Sequence, residues 1–310
     1  MNLKELKAEL SQYLETHLKQ NTPAHSFAAA YRYAVLPPGK LFRPQLVASL
    51  AHDLGVNQLS LHGHHYLASS VELHHAYSLA HDDLPCMDDD DMRRGRPSLH
   101  RQYNEWSAVL VGDGLLNASY RLIANIQSPA ANQLFRYFSW ALGPKGLIQG
   151  QVMDLGLEAT SSFDALIKTH LLKTSRLIQV SLVGATLLVP HKNQSPFKQC
   201  KRMHRAGEAL GIIFQLLDDL SELTEKLSPH ELSITPWPRY PKECRDKLKE
   251  SSTLLHALLP KENFPLLRQL ISQYIVGVMA HVNAHALEVQ DKLAKGESLK
   301  EILEPVMTLA

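Results

Sequence analysis

Apolar residues recur along most of this chain at three- and four-residue intervals, the spacing that collects them on one face of an α-helix. Leu3, Leu6, Leu10, Tyr13, Leu14 and Leu18 form the first such stripe and predict an amphipathic helix from Leu3 to Leu18. The same period predicts helices around 44–55, 61–84, 106–126, 131–142, 145–158, 164–190, 199–227, 243–258 and 264–293. No run of alternating Val, Ile and Thr bounded by turn residues suggests strands, so the expected fold class is all-α. Breaks fall at Leu36-Pro37-Pro38-Gly39, Pro85, Gly95-Arg96-Pro97, Gly143-Pro144 and the proline-rich stretch Ser228 to Pro241. The most apolar stretch, Leu177 to Pro190, is interrupted by Gln179, Ser181, Gly184 and Thr186. It falls short of the roughly 18 to 20 apolar residues of a spanning helix, which predicts a buried helix and no membrane span.

None of the breaks is long enough to separate domains, and no repeat of fixed period is present, so a single domain over 1–310 is expected. With 45% hydrophobic and 20% charged residues, the chain has material for a large core. Lys plus Arg (32) nearly balance Asp plus Glu (31), which removes the overall basic field that gathers nucleic acid. Anion binding, if any, is local. Three cysteines, Cys86, Cys200 and Cys244, have no metal spacing and are too sparse for a disulfide framework. The N-terminal stretch is a charged amphipathic pattern with no signal-peptide core; a cytoplasmic location is expected. Seventeen histidines show no HExxH spacing, and most of His52, His62, His64, His65, His74 and His81 are expected on the surface or behind other ligands.

Chemistry concentrates in two acidic clusters. His81-Asp82-Asp83-Leu84-Pro85-Cys86-Met87-Asp88-Asp89-Asp90-Asp91 packs six carboxylates into ten residues, followed by Arg93-Arg94-Gly95. Asp82 and Asp83 lie at the C-terminal end of an apolar helix, where the helix dipole disfavours negative charge; a divalent cation removes the conflict. Pro85 ends the helix near Leu84, so the chain can turn and bring Asp88 beside Asp82. The second cluster, 136 residues further on, holds Asp218, Asp219, Glu222 and Glu225; Asp218, Glu222 and Glu225 share one helical face. Oxygen-only ligands in this pattern point to Mg²⁺ bound together with substrate phosphates, although a solvated acidic face is the alternative for either cluster alone. Cations that could hold such phosphates stand at Gly39-Lys40-Leu41-Phe42-Arg43, at Arg93-Arg94 and at Lys173-Thr174.

These residues identify a resemblance. His75-Ala76-Tyr77-Ser78-Leu79-Ala80-His81-Asp82-Asp83-Leu84-Pro85-Cys86-Met87-Asp88 through Arg93-Arg94-Gly95 resembles the first aspartate-rich motif of bacterial trans-isoprenyl diphosphate synthases, with their two-residue insertion. The short-chain farnesyl diphosphate synthases (geranyltranstransferases) are the most similar group. Gly39-Lys40 with Arg43-Pro44, Gly150-Gln151 with Asp154-Leu155, Lys173-Thr174, and Phe214-Gln215 with Asp218-Asp219 extend the match over about residues 20–225. The resemblance implies an isoprenoid synthase fold, with long helices around a cavity and the two acidic motifs across its mouth. It also implies a homodimer and elongation of an allylic diphosphate (dimethylallyl or geranyl) by isopentenyl diphosphate. By the same resemblance, more than one Mg²⁺ is held by Asp82, Asp83, Asp88, Asp218, Asp219 and Glu222. Gly39, Lys40, Arg43, His75 and Arg94 take isopentenyl diphosphate, and Arg93 and Lys173 take the allylic diphosphate. Lys173, Thr174 and Gln215 serve the reacting allylic group. Tyr77, with Ser78 beside it, lies more than a helical turn below Asp82; the resemblance implies that a bulky residue there closes the tail cavity and favours a farnesyl product, with geranyl or geranylgeranyl diphosphate as the alternatives.

The chain also departs from that pattern. Leu41 stands where the family usually has Arg, Ser175 replaces a small Ala or Gly, and Glu222 replaces Asp. After the second motif the usual Gly-Lys pair and Lys-x-Thr-Tyr-Pro segment are missing; Leu227 to Pro238 stands instead, with Lys226 as the nearest lysine. The C-terminal Leu303 to Ala310 has no basic residue. These departures keep a second reading open: a catalytically weakened synthase homologue acting as the regulatory or partner subunit of another synthase. A class I terpene cyclase is disfavoured, because the spacing from Asp218 meets Glu222 and then Lys226, and Lys40 with Arg43 would lack a purpose.

Overall fold

The computed structural model describes residues 2–190, 196–224, 235–293 and 298–309. Its elements are α1 (Leu3–Asn21), α2 (Ala28–Val35), α3 (Phe42–Asp53), α4 (His64–Asp82), strands β1 (Met92–Arg93) and β2 (Arg96–Pro97), α5 (Leu99–Gln102), α6 (Glu105–Ala124), α7 (Ala131–Leu142), α8 (Leu147–Leu155), a 3₁₀ turn (Glu158–Thr160), α9 (Phe163–His170), a π-helical turn (Leu171–Ser175), α10 (Arg176–Leu188), α11 (Phe197–Glu222), α12 (Pro236–Arg239), α13 (Pro241–Leu258), α14 (Pro265–Ala284), α15 (Ala286–Lys292) and α16 (Leu299–Met307). The class is all-α, as the helical period predicts. Two compact units are present: residues 1–139 with 180–196, and residues 140–179 with 197–310.

In the first unit, α4 packs against α6, α3, α1 and α2. The predicted stripe of α1 is the buried one: Leu3, Leu6, Leu10, Leu14 and Leu18 all lie inside, each burial contributing about 2 kcal/mol. A capping box starts this helix, with the Asn2 side chain accepting from Glu5 N and Glu5 accepting from Asn2 N. Helix α4 is buried nearly all round, which is why its polar residues find specific partners. Ser70 donates to the Ser119 carbonyl (2.8 Å), and His64 Nε2 lies 3.0 Å from the Ala185 carbonyl. In the second unit, α11 packs on α13, on the π-helical turn and on α14.

Five features differ from the sequence expectation. The stretch 164–190 is not one α-helix but α9, a π-helical turn and α10. The run Phe163–Leu188 is long and apolar enough to cross a membrane by length and composition, but 78% of its most apolar window is buried within the protein. A two-stranded antiparallel hairpin, Met92↔Pro97 and Arg93↔Arg96, closes over Arg94-Gly95. The proline-rich stretch contains α12, whose Trp237 is fully buried and donates from Nε1 to the Leu216 carbonyl (2.7 Å). His64, His65 and His74 are core residues rather than surface ones; the alternation of polar and apolar residues does not mark them because their helix has no solvent face. Readings that rest on Glu225, Lys226 and the stretch 227–234 fall outside the described residues.

The buried histidines make the first unit acid-sensitive. Burial lowers His64 to about 4 and His74 to about 3; it also lowers His17 to about 4, with help from neighbouring His65. In the unfolded chain these rings bind protons near 6.5, so the unfolded state holds more protons between pH 6.5 and 4. Stability is therefore full above about pH 6.5 and falls as pH drops toward 4, by about 1.4 kcal/mol per pH unit for each such group. Urea midpoints measured at pH 7.5 and pH 5 should differ strongly; equal midpoints would show that these rings titrate as in water.

Candidate functional site

The C-terminal turn of α4 presents the first cluster. The helix stops at Asp82, and Asp88 N donates to the Asp82 carbonyl (2.8 Å), so the chain turns back as the proline spacing predicts. Asp82 is half-buried and Asp88 exposed. Asp83, one residue and about 100° further round, points inward: it is 2% exposed, and its Oδ1 accepts from Arg93 Nε (2.9 Å) and Nη2 (2.5 Å). Burial pushes the Asp83 carboxyl above its usual range, and the Arg93 bonds oppose that shift. Arg93 also donates to Asp90 (2.6 Å), so this arginine is engaged by two carboxylates.

The hairpin that carries the two arginines is a two-residue turn with positive φ at both central positions, Arg94 (+55°) and Gly95 (+74°). Arg96 anchors it to the end of α2: its guanidinium donates to the Tyr33 and Leu36 carbonyls and stacks on the Tyr33 ring at 4.1 Å. Arg94 thereby lies over Gly39, where an added Cβ would sit 3.3 Å from the guanidinium carbon. The Arg94 guanidinium is 3.8 Å from Glu72, a carboxylate buried on α4 that sequence reasoning missed; its signal was a lone acidic residue inside the apolar run of α4. Burial raises the Glu72 carboxyl, while Arg94 and Arg43 counter the rise. One turn on, His75 is held well below its usual range by burial and by Arg43, Arg94 and Arg93. Gly39, Arg43, His75 and Arg94, separated in sequence, are thus brought together in one cationic cluster. Lys40 is exposed, and its carbonyl accepts from Gln45 Nε2 (2.8 Å). Leu41, buried, takes the left-handed conformation (φ +53°) that opens α3, a strained choice for a non-glycine residue.

Below the acidic turn, Tyr77 is 6% exposed and its ring meets His74 edge-on at 4.5 Å and His81 at 5.8 Å. Burial raises its hydroxyl, with Tyr120 and Asp82 adding to the shift. Ser78 is half-buried and donates to the His75 carbonyl (3.0 Å). His81 Nε2 lies 3.0 Å from the Val109 carbonyl, and its ring fills the space left by Gly112 on α6. Asp82 is therefore bracketed by a side chain locked to a second helix.

In the second unit the centre is the π-helical turn that carries Lys173 and Thr174. A π turn widens the helix and displaces its side chains from the α register, a feature frequent at functional sites. Two glycines admit it: an added Cβ at Gly150 would lie 2.3 Å from Lys173 N, and one at Gly211 would lie 2.1 Å from Ser175 Oγ. Lys173 Nζ donates to Asp154 Oδ2 (2.5 Å). Thr174 Oγ1 donates to Gln215 Oε1 (2.8 Å), and Gln215 Nε2 donates to Asp219 Oδ1 (2.8 Å). Asp219 is 6% exposed, and burial raises its carboxyl well above the usual range, with Glu222, Asp218 and Asp154 adding to the effect. His170 Nε2 lies 3.6 Å from Asp219 Oδ2; this second partner also escaped the sequence reading. Asp218 and Glu222, one turn apart on α11, face solvent.

Both clusters therefore supply carboxylate oxygens at or near the surface (Asp82 with Asp88, Asp218 with Glu222), a hard-oxygen donor set that suits Mg²⁺. A family model described as polyprenyl synthetase matches residues 24–230. The chain is 37% identical over 222 residues to a geranylgeranyl diphosphate synthase of Pantoea ananas, covering 70% of this chain and 72% of that protein. It is 33% identical over 213 residues to a farnesyl diphosphate synthase of Micrococcus luteus, covering 67% and 71%. A solved geranyltranstransferase of Thermotoga maritima superposes with a TM-score of 0.76 at 26% identity, over 89% of this chain and 98% of that one.

Proposed function

Because the chain belongs to the polyprenyl synthetase family, we propose that it is a Mg²⁺-dependent trans-prenyltransferase that joins isopentenyl diphosphate to dimethylallyl or geranyl diphosphate, with farnesyl diphosphate as its main product. The observation that carries this reading is the assembly around α4: the Asp82–Asp88 turn, and about two turns below it His75 with Arg43 and Arg94 beside it. Asp82 and Asp88 hold Mg²⁺ at the first cluster, Asp218 and Glu222 at the second. When bound, Mg²⁺ supplies the positive charge that stabilises the departing diphosphate.

The remaining work falls to the protein's own groups. Arg43 and Arg94 present planar forks to the isopentenyl diphosphate, joined by exposed Lys40. His75, kept neutral, contributes a hydrogen bond without charge. Arg93 and Lys173, each within its own unit, are read as diphosphate ligands, Arg93 exchanging Asp83 and Asp90 for phosphate oxygens and Lys173 exchanging Asp154. Thr174 donates its hydroxyl hydrogen bond to Gln215 Oε1, which leaves the threonine oxygen's lone pairs to face the electron-poor allylic carbon. Asp83 and Asp219, the inward members of each pair, act by fixing Arg93 and Gln215.

The relatives include both geranylgeranyl and farnesyl synthases, and the buried Tyr77 ring supports the shorter product. The protein is read as one catalytic domain, cytoplasmic, without a membrane span. A second copy is expected to cover the α6 face where Trp106, Val109 and Leu110 are exposed. Incubation with isopentenyl diphosphate and each allylic primer, with Mg²⁺ or with chelator, should give metal-dependent farnesyl diphosphate by mass spectrometry. Tyr77→Ala should shift the main product to geranylgeranyl diphosphate or longer; an unchanged product would remove Tyr77 from length control. Buried, left-handed Leu41, in place of the family's Arg, favours one competing reading, a weakened partner subunit. Absence of elongation with every primer would overturn the synthase reading, and a tight hetero-oligomer with another synthase would then be expected from the competing one.

A further inference from the structure

Beyond the Asp82–Asp88 pair, the loop it opens holds a second constellation. Asp89, Asp91 and His100 each place one potential ligand atom within 4.8 Å of the others: a carboxylate oxygen from each aspartate and a ring nitrogen from the histidine. The two carboxylates are exposed, but His100 is 6% exposed. Its Nδ1 lies 3.1 Å from Ser98 Oγ, while Nε2 is fully buried and has no hydrogen-bond partner. A buried imidazole nitrogen left without a partner is costly. In the tautomer in which Nδ1–H donates to Ser98 Oγ, the Nε2 lone pair is left for a metal, the arrangement in which metal-ligating histidines are found.

The backbone holds the set together. Ser98 N donates to the Asp91 carbonyl (2.9 Å) across the hairpin, and so brings the start of α5 back against the acidic loop. Asp89 adopts a positive φ (+56°), a conformation rare outside glycine and asparagine. Two arginines face the loop: Arg101 pairs with Asp91, and Arg93 pairs with Asp90 and Asp83. Each Asp91 carboxylate has two oxygens, so the Arg101 bond to Oδ1 leaves Oδ2 for a ligand.

We propose that Asp89, Asp91 and His100 form a binding site for a first-row divalent transition ion, Zn²⁺ foremost. One nitrogen and two carboxylates make a mixed set that suits such ions, whereas Mg²⁺ prefers oxygen alone. The ion joins the beginning of the loop to its end and fixes the hairpin that presents Arg93 and Arg94. This site is separate from the all-oxygen pair at Asp82 and Asp88.

The test is Zn²⁺ binding to the full chain without any diphosphate, by calorimetry, with the His100 ring followed by NMR; its outcome is independent of synthase activity. The wild type and an Asp82→Asn/Asp88→Asn variant should both bind Zn²⁺ saturably, with the His100 resonance shifted. Asp89→Asn, a substitution at an exposed position, and His100→Gln should each weaken binding at least tenfold. Three results would overturn the site: no binding by the wild type, binding unchanged in Asp89→Asn, or binding lost in Asp82→Asn/Asp88→Asn. Asp89→Asn keeps the test decisive if His100→Gln fails to fold.

Discussion

Asp88→Asn is expected to lower kcat/KM on the order of 10³-fold while leaving the urea midpoint unchanged, because Asp88 is an exposed carboxylate whose proposed work is to hold Mg²⁺. Loss of one such ligand removes about 4 kcal/mol of transition-state stabilisation. Asp83→Asn should behave in the opposite way. Asp83 is 2% exposed and accepts two of the three bonds from Arg93; removing its charge leaves the half-buried guanidinium with Asp90 as its bonded carboxylate. A stability loss of about 1–3 kcal/mol is expected, below the range for a fully buried pair because Arg93 keeps solvent contact. Steady-state kinetics and urea titrations on the two variants together decide the matter. Equal activity losses at unchanged stability would place both carboxylates on the metal and refute the division of labour within the pair.

Gly150→Ala should be nearly as damaging, although it adds only a methyl group. The new Cβ would stand 2.3 Å from Lys173 N, 2.7 Å from Leu172 C and 2.7 Å from Lys173 Cα. These are backbone atoms and cannot rotate away, so α8 or the π-helical turn must move. Overpacking of this kind costs about 1–3 kcal/mol, and displacement of Lys173 and Thr174 should reduce kcat/KM by on the order of 10²-fold. Thermal unfolding and kinetics check both parts. A variant with wild-type activity and midpoint would show that the close approach of α8 does not position the lysine. Gly211→Ala, which meets the Ser175 side chain, tests the other flank of the same turn.

Paired aspartates show where sequence reading succeeds and where it stops. Adjacent residues on a helix diverge by about 100°, so the two members of Asp82-Asp83, and of Asp218-Asp219, start from different surroundings. In both pairs the second aspartate is buried, Asp83 at 2% and Asp219 at 6%, and bonded to a side chain distant in sequence. The family resemblance implies a metal role for all four, and the structure distinguishes them by their burial and bonding. Which member turns inward depends on the neighbouring helices.

The amino-acid order alone determined the all-α class, because a 3.6-residue apolar period reports which face a helix buries. It also determined the turn at Pro85 that returns Asp88 to Asp82, and the residues whose resemblance to the family is borne out by the comparisons. Tertiary structure alone decided the rest. The histidines of α4 read as polar, but are core because helices cover that element on every side. The π-helical turn at Lys173 has no propensity signal; it exists where Gly150 and Gly211 let two helices press against it. Glu72, His170 and His100 gain their meaning from arginines, carboxylates and turns that sequence separation hides, since local periodicity carries no information on which distant charge a buried group will meet.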